Sequence, residues 1–211
     1  MNDEELEREL TAREKRGESE AKRAELESYF RELVASYVNF PDNLKLELKR
    51  SRRGWALMIE PDVSDYAIVA GKKGRNYNAL KVLVDGIGDQ YGMEIEMLLE
   101  GPPVEDTKRI RKQLPYKVNP QWTPNLIKAL IVKTLRLARL AHVQIRLQKN
   151  AVVSESNPFD DQTSYWFFGM KTDAEAAFVL ALGQLMESVG TAQGQRLMPK
   201  HSLKQELEKA G

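Results

Sequence analysis

Leu44-Lys45-Leu46-Glu47-Leu48-Lys49 alternates strictly between apolar and charged side chains. A two-residue period places the leucines on one face of an extended chain and the charges on the other, which marks a strand with one buried face. Arg50-Ser51-Arg52-Arg53-Gly54 follows as a basic turn, Trp55-Ala56-Leu57-Met58-Ile59 as a second strand, and Pro61 closes it. The two strands are expected to pair as a hairpin. Upstream, Leu26, Tyr29, Phe30, Leu33, Val34 and Tyr37 recur at helical spacing, and Pro41 with Asp42-Asn43 is expected to end that helix. Residues 1–24 carry few large apolar side chains; Leu6 and Leu10 begin a stripe that nothing continues, so a solvated helical extension is expected there.

Downstream of the hairpin the period changes. Asp65–Ala70 reads as a short helix with Ser64 or Asp65 as N-cap. Gly71-Lys72-Lys73-Gly74 follows, then a helix from Arg75 to about Gln90 with Leu80, Leu83, Val84 and Ile87 on one face. Gly88 and Gly92 bracket its end, Met93–Leu99 alternates as a third strand, and Gly101-Pro102-Pro103 ends the unit. Two glycines let the backbone turn sharply and let a ligand come close. Two lysines between them, with Arg75 opening a helix whose N–H groups and dipole favour anions, suit a phosphate chain. The plain alternative is a tight helix–helix turn with solvated lysines. A phosphate-binding nucleotide loop is excluded, because it needs four residues between its glycines and then Gly-Lys-Ser/Thr.

The order helix, strand, strand, short helix, Gly-x-x-Gly, helix, strand resembles a KH domain of the second, prokaryotic topology. The Gly71–Arg75 run is similar to that of the small bacterial KH RNA-binding proteins, and the resemblance covers about residues 25–100. Ala70 stands where that family often has a branched apolar residue, and Tyr77 where it often has an aliphatic one. The resemblance implies a loop whose backbone clamps about four nucleotides of single-stranded RNA. Lys72, Lys73 and Arg75 would neutralise phosphates, and Ile68, Val69 and Tyr77 would line the groove that receives the bases. Ordinary core packing accounts for Tyr77 equally well.

A second unit follows a basic linker. Pro124 to about Ala141 reads as a helix with Thr123 as N-cap, Val143–Leu147 as a strand, Ala151–Thr163 as a polar loop, Tyr165–Phe168 as a strand and Asp173 to about Val189 as a helix. Leu197-Met198 is a candidate last strand. At an offset of 102, Ala79-Leu80 matches Ala181-Leu182, Leu83, Val84 and Asp85 match Leu185, Met186 and Glu187, Ile87-Gly88 matches Val189-Gly190 and Gly92 matches Gly194. Trp55 and Trp166 open corresponding strands once a gap is allowed. The same offset carries Gly71–Gly74 onto Asp173-Ala174-Glu175-Ala176, which cannot cradle a phosphate. The expected fold is therefore α+β: a helical extension (1–24), a type II KH domain (25–101), a basic linker (102–120), a degenerate KH-like α+β domain lacking Gly-x-x-Gly (121–199) and a tail (200–211). An unrelated small α+β domain is the alternative for the second unit.

The net charge of +1 hides a segregation: residues 1–32 hold 11 acids and 7 bases, whereas Thr107–Ser154 holds 11 Lys and Arg without one acid. Lys108, Arg109, Arg111, Lys112, Lys128, Arg136 and Arg139 form a candidate secondary basic surface. The absence of cysteine excludes disulfides, thiolate catalysis and cysteine-based zinc sites. His142 and His201 fit no metal pattern, Asp160-Asp161 beside Asn157-Pro158 reads as a solvated turn, and no Gly-x-Ser-x-Gly elbow occurs. The Arg-x-x-x-His signature of a second nucleic-acid module is absent, since Arg139 and His142 stand three apart. No cofactor, metal or catalysis is expected. Met1–Glu5 is acidic with no apolar run after it, and residues 126–140 are too short and too charged for a bilayer span, so a cytoplasmic protein without a membrane partner is expected. The expected partner is single-stranded RNA, although a KH groove accepts single-stranded DNA too. A protein-interaction module, meeting an acidic partner or a second copy of the chain, is the other reading.

Overall fold

The computed structural model describes residues 3–101, 124–151, 161–192 and 196–201, and side chains over 19–101, 125–146 and 165–190. The elements in order are α1 (Asp3–Ala35), β1 (Lys45–Ser51), β2 (Gly54–Glu60), α2 (Tyr66–Ala70), α3 (Arg75–Tyr91), β3 (Ile95–Leu99), α4 (Pro124–Leu137), β4 (Gln144–Ala151), β5 (Asp161–Phe168), α5 (Asp173–Ala192) and β6 (Arg196–His201). The fold is α+β, with helices and two separate three-stranded sheets ordered β1-β2-β3 and β4-β5-β6.

In the first sheet β1 and β2 form the expected antiparallel hairpin, with Leu46 opposite Ile59 and Leu48 opposite Leu57. β3 joins β2 in parallel, so that Leu57 also faces Met97. The leucines of the alternating segment are buried and its charges exposed, as the two-residue period requires. One helix, α1, spans both the charged extension and the apolar stripe. It ends at Ala35, before Pro41 and Asp42-Asn43, which instead form a short 3-10 turn. Its buried face carries Leu26, Tyr29, Phe30, Leu33 and Val34, and Tyr37 is buried just beyond its end. Polar side chains of α1 reach the outer edge of β1. Arg31 donates to the Leu44 and Leu46 carbonyls at 3.0 and 2.5 Å, and Glu27 accepts the Leu48 N–H at 3.0 Å. An edge strand's open hydrogen-bonding groups are thereby covered.

Several boundaries of the second half differ from expectation. α4 stops at Leu137 rather than near Ala141, because Arg139 takes a left-handed backbone (φ 55°) and the Leu140 N–H reaches back to the Leu135 carbonyl at 2.7 Å. This is a Schellman-type stop with arginine where glycine is usual. Residues 161–163, expected in a loop, belong to β5, and β4 continues to Ala151, because the hairpin ladder runs from Gln144–Phe168 out to Ala151–Asp161. β6 is longer than Leu197-Met198 and takes His201 out of the expected tail to pair with Phe167. Tyr165 lies between Leu147 and Pro199 as Leu57 lies between Leu48 and Met97. Met97 and Pro199 stand 102 apart, so Trp166 takes the place of Met58. The expected Trp55–Trp166 match is three residues out of register, because strand equivalence follows the ladder and not residue type.

One contiguous cluster of buried side chains runs from Leu26 in α1 to Val189 in α5. Between the halves, Tyr29 donates to Thr134 Oγ1 at 2.8 Å, and Thr134 donates to the Leu130 carbonyl at 2.8 Å, so two buried hydroxyls are satisfied. Among the described residues no helix is long and apolar enough to cross a membrane.

Candidate functional site

The Gly71–Gly74 loop joins α2 to α3 as a single 3-10 turn with the Gly74 N–H on the Gly71 carbonyl at 3.1 Å. Three of its four residues have positive φ: Gly71 (74°), Lys73 (57°) and Gly74 (77°). The two glycines are required for different reasons. A Cβ on Gly71 would lie 2.6 Å from the Asn76 backbone nitrogen, so the fold itself forbids a side chain. A Cβ on Gly74 would meet only the Asn78 amide at 3.9 Å, so that side of the loop is open to an incoming ligand. Lys72 and Lys73 are exposed at the mouth of α3.

Asn76, one residue into α3, holds the loop in place. It is 8% exposed, and its Nδ2 donates to the Ile68 carbonyl of α2 at 2.8 Å, locking the angle between the two helices. Its Oδ1 accepts from the Ser188 hydroxyl of α5 at 3.0 Å. Asparagine early in a helix is disfavoured unless its side chain makes local hydrogen bonds, and that was the available signal for this residue. Glu187 was not legible from local pattern: it pairs with Arg75 at 2.6 Å across 112 residues.

Asp65 was expected to cap α2 but makes no side-chain cap bond there. It is fully buried, and its carboxylate accepts the Asn39 and Phe40 N–H groups at 3.0 and 2.8 Å. It thus ties the end of the α1–β1 connection to the base of the loop. Burial pushes its carboxyl above the usual aspartate range, against those two donors. The competition is won by the tertiary donors because they are partly withdrawn from water and need an acceptor more than a solvated helix start does.

The candidate groove residues are not equivalent. Ile68 and Tyr77 are partly exposed and pack against the core, whereas Val69 is 1% exposed within it. The Tyr77 hydroxyl donates to the Met97 carbonyl of edge strand β3 at 3.1 Å. Lys128, Arg136 and Arg139 are exposed on and just after α4, and Arg139 sits in the turn rather than on the helix face. Lys108, Arg109, Arg111 and Lys112 lie outside the described residues. Further along α3, past Lys81, a cleft of about 330 Å³ is lined by Asp85, Asp89, Glu94 and Glu96 with Arg53 and Lys81. Its surplus of carboxylates gives no continuation to an anion track.

In the second half, the residues that stand in place of the lysines serve the fold. Thr172 Oγ1 accepts the Glu175 N–H at 3.2 Å, and Glu175 Oε2 accepts the Lys171 N–H at 2.6 Å. This is a capping-box arrangement, legible as Thr-x-x-Glu ahead of an apolar run. The Lys171 N–H holds the Glu175 carboxyl below the usual range, with His142 at 3.3 Å as a further cause. Asp160 lies outside the described residues, and Asp161 is in β5 opposite Ala151. Among the described residues no three metal-ligating side chains cluster.

Sequence comparison finds relatives for part of the chain. Over 66 residues, 31% of this chain and 81% of the relative, it is 35% identical to the protein named RNA-binding protein KhpA of Mycobacterium bovis and to its counterpart in Mycobacterium tuberculosis. The Mycobacterium leprae protein of the same name is 33% identical over the same share. No family model matches the chain, and no solved structure matches it significantly.

Proposed function

The chain belongs to the family of the KhpA RNA-binding proteins, and from that premise we propose that it binds single-stranded RNA through the Gly71–Gly74 loop, without catalysis. The observation that carries this reading is the loop's geometry. Two exposed lysines ride on a left-handed turn whose outer glycine is open, directly before the first turn of α3. The element order around it and the parallel β2–β3 pairing support a type II KH topology. A sugar–phosphate chain lying along the loop would meet N–H groups, the helix dipole and two cations together. Ile68 and the Tyr77 ring are the apolar surfaces beside it. A phosphate reaching Arg75 has to compete with Glu187 for the guanidinium. The exposed bases of α4 extend the positive surface, adding affinity that falls with salt, and the bases that the sequence carries at 108–112 add to the same charge.

The test is Lys72→Asp with Lys73→Asp. Both side chains are solvated, so circular dichroism and melting should be unchanged. Affinity for single-stranded RNA, read by fluorescence anisotropy, should fall by about 100-fold, or roughly 2.7 kcal/mol. Unchanged affinity would remove the loop from the interface. If a weak response to salt accompanied it, the chain would be better read as a protein-interaction module.

A further inference from the structure

We infer that the two halves are related by a twofold axis running through their helices, and that the second half is the first half's built-in partner, filling the face of α3 that a second copy would otherwise fill. The inference does not rest on RNA binding.

A twofold interface obeys a rule that can be checked residue by residue: if i touches j, then the mate of i touches the mate of j. Here mates are separated by 102. α1 ends at Ala35 and α4 at Leu137; β3 is Ile95–Leu99 and β6 is Arg196–His201. Asn76 touches Ser188. Their mates are Phe178 and Gly86, and the Phe178 ring does lie on Gly86, where a Cβ would come within 2.8 Å of Cδ2. The two contacts lie toward opposite ends of α3, so α3 and α5 run antiparallel with the axis at the height of Lys81 and Gly183 along the two helices. A second pair of equivalent helices, α1 and α4, also meets. α1 meets α4 through Glu32 with Lys133 at 2.5 Å and Tyr29 with Thr134 at 2.8 Å, which centres the crossing on Arg31 and its mate Lys133. A simple tandem array would set one unit's front against the next unit's back. Here equivalent helices meet each other.

The axis also explains why α5 is buried nearly all round, with Phe178, Val179, Ala181, Leu182, Leu185, Met186 and Val189 all in the core. It must cover its own sheet and α3 at once. The symmetry is broken where the site is. Arg75 pairs with Glu187, but the mates Ala177 and Asp85 cannot form an ion pair, and Asp85 bonds Lys81 at 2.9 Å instead. One pseudo-dimer therefore carries one Gly-x-x-Gly loop, with α5 reaching its rim.

The chain has no cysteine, so engineered pairs report cleanly. Arg75→Cys with Glu187→Cys, and Asp85→Cys with Ala177→Cys, should each be cross-linked within one chain in most molecules by a short bifunctional thiol reagent, which spans the reach of an arginine–glutamate ion pair where a direct disulfide does not. Arg75, Asp85 and Ala177 are exposed and Glu187 partly so, which leaves folding to be confirmed by circular dichroism. Asp85→Cys with Glu187→Cys, which a parallel arrangement would bring together, should not be linked. Light scattering of the unaltered chain should give the mass of one chain, 24.1 kDa. Failure of the 85–177 pair, linkage of the 85–187 pair, cross-links formed between chains, or twice the chain mass would each overturn the inference.

Discussion

The two halves build the same sheet and the same helix after it, yet differ in what connects them. Between β2 and α3 the first half inserts residues 61–74; between β5 and α5 the second has only 169–172. The ladder survives the shortening: Leu48–Leu57–Met97 in one sheet has its counterpart in Leu147–Tyr165–Pro199 in the other. Gly-x-x-Gly, α2 and the left-handed turn all lie inside the longer connection. The second sheet and the helix after it thus close without an α2 or a Gly-x-x-Gly turn. At the start of α5 the charge standing in place of Lys73 is used locally, since Glu175 accepts the Lys171 N–H and lies 3.3 Å from His142.

That comparison breaks first at Asp65, which, like the core residue Val69, is a part of the long connection that the framework uses. Asp65→Ala takes the acceptor from the part-buried Asn39 and Phe40 N–H groups, each at roughly 1–3 kcal/mol. A destabilisation of about 2–4 kcal/mol is expected in urea unfolding. A change within error would mean that the whole connection is dispensable to the fold.

The two glycines sharpen it next. Gly71→Ala meets both positive φ and the Asn76 nitrogen, whereas Gly74→Ala meets positive φ alone. A left-handed alanine costs roughly 1–2 kcal/mol. Gly74→Ala should therefore destabilise by about 1 kcal/mol and Gly71→Ala clearly more, by thermal or urea denaturation. Equal effects would place the steric demand elsewhere.

In the second half, Thr172→Ala should cost about 1 kcal/mol through removal of an N-cap, with RNA affinity unchanged. Glu175→Gln gives the pH signature. Because the folded carboxyl is held below its ordinary value, its stabilisation is full above the unfolded pKa of about 4.3 and disappears as pH falls through the folded one. The gap in stability between the native chain and Glu175→Gln should be constant at neutral pH and narrow below about pH 4. The smallest effect is Arg136→Gln with Arg139→Gln. Affinity should fall a few-fold for all RNA sequences alike, and the salt slope should flatten by roughly 0.7 for each phosphate no longer neutralised.

Local period wrote much of this molecule into its sequence. The leucine alternation at 44–49, the helical stripe at 26–37 and the Gly-Lys-Lys-Gly joint were each readable, because strand and helix impose periods of 2 and 3.6 on whatever they bury. The loop lysines were readable for the same reason, since local chemistry and position coincide. Tertiary structure alone decided the rest. It sent Asp65 to the Asn39 and Phe40 N–H groups, set Glu187 on Arg75, ended α4 at a left-handed Arg139 and laid α3 antiparallel to α5. An apolar stripe states that a face will be covered but not by what. The choice among covering faces about 100 residues away depends on which surfaces remain open after each sheet has taken its own helices, and no local period carries that information.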